Sequence, residues 1–65
     1  MKTFAEYEQF VSDSGLEMVE KGVSFATERA ATDFLDEALS QGFEVTYMRM
    51  GAPGSETWIV SYIGS

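Results

Sequence analysis

Apolar residues recur along this chain with two different periods. Phe4, Tyr7 and Val11 follow helical spacing, and Thr3 stands three residues before Glu6, the capping-box interval, so a first helix is predicted over about residues 4–13, closed by Asp13-Ser14-Gly15. From Thr27 to Gln41, Ala30, Phe34 and Ala38 form one helical line and Ala31, Leu35 and Leu39 the next, a wide apolar stripe with Gly42 at the C-terminal cap position. Beyond it the period falls to two. Phe43, Val45 and Tyr47 alternate with Glu44, Thr46 and Met48, and Trp58, Val60 and Tyr62 alternate with Thr57, Ile59 and Ser61, the pattern of two strands. Gly51-Ala52-Pro53-Gly54-Ser55 between them predicts a type II turn, with proline presetting its first central residue and glycine the positive φ of its second.

Leu16 to Lys21 supports two readings. Ser14 and Glu17 have capping-box spacing for one short helical turn, whereas Leu16 and Met18 with Val23 and Phe25 can flank a hairpin at Lys21-Gly22. The reading adopted is a helical turn followed by an extended Val23–Ala26. The expected fold is therefore α+β, a single domain over residues 1–65 in which an N-terminal and a central helix pack on a C-terminal antiparallel β-hairpin or small sheet. A helix covers one sheet face only. Met48, Met50, Ile59 and Ile63 on the other are then either covered by the N-terminal helix or exposed as a partner or dimer surface, a role to which pliable methionine is suited.

Composition narrows the function. A 65-residue chain buries about 60% of its unfolded surface, which leaves little material for a deep, dry cleft. Cysteine and histidine are both absent, removing thiolate chemistry, the usual general base and the usual zinc ligands. Gly22-Val23-Ser24-Phe25-Ala26 has the outline of a nucleophile elbow but no base to take the serine proton. Asp13 to Glu17 lacks the alternating ligands and the distal bidentate glutamate of a calcium loop. The expectation is a protein without catalytic residues, metal or cofactor. No apolar segment approaches membrane-spanning length, the longest run of large apolar side chains being Trp58-Ile59-Val60, and the first residues are not those of a signal peptide, so a cytoplasmic protein is expected.

Charge points to the partner. Four Lys/Arg against eleven Asp/Glu give −7, which repels nucleic acid and anionic lipid and attracts basic surfaces. The excess is graded along the chain: Glu6, Glu8, Asp13, Glu17 and Glu20 against Lys2 leave −4 in residues 1–20, residues 21–40 hold −2, and residues 41–65 hold −1. Asp33, Asp36, Glu37 and Ser40 lie at i, i+3, i+4 and i+7, so three carboxylates share one helix face at roughly 5–6 Å between neighbouring Cβ atoms. Glu6, Gln9 and Asp13, with Glu8 nearby, repeat the feature on the first helix. Such rows are either solvated faces opposite the core, with Arg29 pairing Asp33, or phosphate-like rows that a basic nucleic-acid groove accepts.

A small, cysteine-free, acidic domain with carboxylate-lined helices on a β-hairpin resembles, over its whole length, the phage-encoded anti-CRISPR proteins of the DNA-mimic type. That resemblance implies a non-enzymatic inhibitor, acting in the host cytoplasm, that occludes the basic DNA-binding surface of a CRISPR-Cas effector complex. It assigns partner binding to Asp33, Asp36 and Glu37, supported by Glu6, Glu8 and Asp13. A second, local similarity spans about ten residues: Leu35-Asp36-Glu37-Ala38-Leu39 and Gly42-Phe43-Glu44-Val45-Thr46 look like the helix and following strand of a small phage inhibitor of bacterial RNA polymerase. It implies the alternative of a polymerase inhibitor or other interaction module using the apolar face of the hairpin. Both imply a basic surface on a host nucleic-acid-binding complex as partner; the net charge sets the expectation of no direct contact with nucleic acid or membrane, and the outward sheet residues that of a monomer or weak homodimer.

Overall fold

The computed structural model describes residues 2–64, and its element order is α1 (Phe4–Asp13), β1 (Gly22–Phe25), α2 (Glu28–Ser40), β2 (Val45–Met50) and β3 (Thr57–Tyr62). This is the α+β arrangement expected from the two periodicities, with both helices on one face of a small antiparallel sheet.

Each helix begins where a threonine side chain, and ends where following backbone N–H groups, satisfy free backbone groups of the helix. Thr3 Oγ1 accepts the Glu6 N–H at 3.3 Å, and Thr27 Oγ1 accepts that of Ala30 at 3.2 Å. At the C-termini the same motif appears twice. Gly15 N–H donates to Ser12 O and Leu16 N–H to Val11 O, while Gly42 N–H donates to Leu39 O and Phe43 N–H to Ala38 O. These are Schellman pairs, and Gly42 meets their left-handed requirement with φ 91°. The second cap aims buried Phe43 back over buried Ala38, so the end of α2 and the approach to β2 are fixed together.

The sheet order is β1-β3-β2, and β3 pairs antiparallel with both neighbours. β1 and β2 are consequently parallel to each other with β3 between them, and α2, which joins them, has to cross the sheet. Val60 faces Val23 on one side and Tyr47 on the other. The β2–β3 turn is as expected, with Ser55 N–H on Ala52 O at 2.9 Å and Gly54 at φ 89°.

The core lies between sheet and helices, where Val23, Val60 and Tyr62 meet Tyr7, Val11, Ala31, Phe34, Ala38 and Phe43. Aromatic rings join α1 to the rest: Phe10 stacks on Phe34 at 5.2 Å and Tyr7 lies edge-on to Phe43 at 5.5 Å. The Tyr7 hydroxyl crosses this layer to donate to Val60 O at 3.1 Å, and the Tyr62 hydroxyl donates to Lys2 O at 3.1 Å. Trp58, Tyr47 and Tyr62 thus pack on the core side of the sheet. The apolar stripe of α2 is narrower than its sequence suggests, since Ala30 is exposed and Leu39 half exposed.

One expectation is overturned. Residues 16–21 form no helical turn: Leu16 to Met18 run without regular structure, and Val19 and Gly22 exchange hydrogen bonds of 2.8 and 3.0 Å around a two-residue turn at Glu20-Lys21. Lys21 O also accepts the Tyr62 N–H at 2.8 Å, carrying strand pairing into the turn. A single helical turn costs its nucleation without elongation, and bonds to a strand already in place win.

Candidate partner-binding surfaces

The helical layer carries the acidic residues that the sequence singles out. On α2, Ala31, Phe34 and Ala38 are buried, and Asp33, Asp36 and Glu37 project from the opposite side, all exposed. At 100° per residue the three span about 100° of the helix circumference, so they form one ridge. Glu37 Oε1 accepts from Gln41 Nε2 at 3.3 Å, a neutral donor that leaves the charge uncompensated. Arg29 does not pair with Asp33. Among the described residues the ion pairs are Lys2–Glu6 at 3.8 Å and Arg49–Glu56 at 3.6 Å, both partly exposed, long and hence weak.

The acids of α1 divide. Glu6 and Asp13 border a shallow groove of about 260 Å³ with Gln9, Phe10, Phe43 and Gln41. Asp13 Oδ1 accepts from Gln9 Nε2 at 2.8 Å, and Glu6 is bound by Thr3 Oγ1 and by Lys2, whose ammonium also lies over the Phe43 ring at 5.3 Å. Glu8 is exposed but stands about 200° around the helix from Glu6, so the structure does not bring it to the same side. The ridge of α2 is therefore the coherent acidic feature, with Glu6 and Asp13 as a second, partly compensated group. Among the described residues no three carboxylates converge as a metal ion would require. No described helix is long and apolar enough to cross a membrane.

A second surface lies on the other side of the sheet. Both helices cover one face, so the outward residues of β2 and β3 have no layer above them: Met48 is 49% exposed and Met50 50%, with Ile59 half-buried between the flanking strands. Val19, Glu20 and Lys21 overhang this face from the turn before β1 and complete an open trough of about 630 Å³, with Ser24 and Ser61 at its margin. Period-two alternation marked the methionines and Ile59. It gave no sign of the overhang, which depends on where Val19 pairs.

Two tyrosines are shifted by their surroundings. Burial pushes Tyr7 up to about 12. Tyr47 is raised as well, by desolvation first and then by its 3.1 Å hydrogen bond to the Glu28 carboxylate and that group's charge, with Arg49 opposing.

No family model matches the chain, and no curated protein or solved structure shows significant similarity to it.

Proposed function

We propose that this protein is a non-enzymatic inhibitor that occludes a basic nucleic-acid-binding surface, with the DNA-facing channel of a CRISPR effector complex as the preferred target. The observation that carries the reading is the α2 ridge: Asp33, Asp36 and Glu37 are exposed on one side of a capped helix and no cation pairs with them among the described residues. A rigid helix holds these charges at intervals that a phosphate-tracking groove accepts, and ordering them costs little on binding because the helix is already formed. The acidic excess also speeds the encounter with a cationic channel.

The test is competition for target DNA on a purified effector complex. The wild-type chain displaces a labelled duplex, and raising salt weakens the displacement. Reversing Asp33, Asp36 and Glu37 to lysine changes the net charge from −7 to −1, three reversals of two units each. At about 1 kcal/mol or more per reversed contact, affinity falls at least about a hundredfold, while the circular dichroism spectrum stays that of the folded domain. Reversing exposed Glu17 and Glu44, which lie off the ridge, leaves displacement nearly intact. Undiminished competition by the triple variant eliminates the ridge as the binding element.

A further inference from the structure

The open face of the sheet differs electrically from the rest of the molecule. Of the residues lining its trough only Glu20 and Lys21 are charged, and they are adjacent and opposite in sign, so the trough carries none of the −7 excess. Val19 is 68% exposed and Met48 and Met50 about half exposed, giving an apolar surface with a single charge pair at its rim. From this pattern we infer that the trough is a self-association surface: two copies of the chain pack sheet face to sheet face about a two-fold axis, with Glu20 of each copy against Lys21 of the other.

Two features select a second copy over a foreign partner. A two-fold contact makes residue i meet j while j meets i, so a neighbouring Glu/Lys pair is complementary to its own rotated image. The contact also suits two strongly acidic chains, because it brings together the neutral faces and turns both α2 ridges outward. The paired Val19–Gly22 hydrogen bonds fix the turn, with Glu20 held at φ 57°, a conformation uncommon for a non-glycine residue, so the charge pair has a defined position at the rim. Two six-residue strands roughly 20 Å long and the four-residue β1 at roughly 13 Å, about 4.8 Å apart, offer about 250 Å² in plan, short of the roughly 800 Å² per partner of a standard interface. The dimer is therefore weak and reversible. Salt strengthens it by screening repulsion between copies, the opposite of its effect on capture by a basic channel, so this inference and the proposed function fail separately.

Sedimentation equilibrium from about 10 μM to about 1 mM protein, at low and at high salt, reads the outcome. The wild type shifts from monomer to dimer with concentration and does so more readily at high salt. Met48→Lys, outward-facing on β2, abolishes the shift. Glu20→Lys puts two cations at the rim and Lys21→Glu two anions, so each variant alone associates at least about tenfold more weakly, and an equimolar mixture of the two regains a dimer. These turn substitutions touch no core residue, so they carry the test if the Met48 variant unfolds. A wild type that stays monomeric throughout overturns the inference and leaves the trough to another occupant. So does a dimer that both charge variants form unweakened, or a mixture that recovers nothing.

Discussion

Tyr7→Phe keeps the ring that joins α1 to Phe34, Phe43 and Tyr62 and removes only the hydroxyl, which donates to Val60 O at 3.1 Å in a fully buried setting. Losing a buried hydrogen bond costs about 1–1.5 kcal/mol, and in a domain this small each kcal/mol moves Tm by roughly 4–8 °C, so the variant melts about 4–12 °C lower at pH 7. The alkaline limb gives a second, independent reading. Tyr7 titrates near 12 when folded and near 10 when unfolded. Its folded value is the higher, so the contribution is fully present below pH 10 and is lost as pH rises through 12. At pH 11 the unfolded chain has released most of this proton while the native one retains it, a loss of about 1 kcal/mol, approaching roughly 3 kcal/mol above pH 12. Phenylalanine has no proton to release. Thermal melts by circular dichroism at pH 7, 9 and 11 therefore show a smaller alkaline drop for Tyr7→Phe than for wild type, with the residual drop including Tyr47. An equal drop in both proteins, or a variant as stable as wild type at pH 7, refutes the account of Tyr7 as a buried strut between α1 and the central strand.

Two further outcomes test the backbone. Gly42→Ala places a side chain at φ 91°, where there is space around the Cβ but the conformation is strained, so thermal melts show a loss of about 1 kcal/mol without a change in secondary structure. Glu20→Gly is tolerated or slightly stabilising because φ 57° is then unstrained, whereas the β-branched Glu20→Val loses more than about 1 kcal/mol, and denaturant titration of the pair reads the difference.

How much of this was legible in the sequence follows from the range of the interactions involved. Both helices, their caps and the Pro53-Gly54 turn were readable to within a residue or two, because each is decided by hydrogen bonds and residue preferences within about five positions along the chain. The row Asp33, Asp36, Glu37 was readable for the same reason. The choice between the helical-turn and hairpin readings of residues 16–21 was not, since the turn, one residue earlier than the hairpin reading placed it, is tied to Tyr62, some forty positions away, through the bond to Lys21 O. Periodicity also could not say that α1 joins α2 on one face of the sheet: that follows from Tyr7 reaching Val60 and Phe10 reaching Phe34, contacts with no local signature.

The placement of α1 has the larger functional consequence. Had it covered the far face, Met48, Met50 and Ile59 would be core and the acids of the two helices would point away from each other. With both helices on one side, the chain separates its chemistry into an acidic helical layer and a neutral, apolar sheet face. Such a separation is costly for a solitary monomer, which gathers like charges on one side and leaves methionines wet on the other. Each cost falls when that side is covered: cations relieve the helical layer, and an apolar surface without excess charge relieves the sheet. Contacts at the two sides consequently respond to salt in opposite directions, and salt dependence measured on each variant separates them whatever molecule the acidic layer binds.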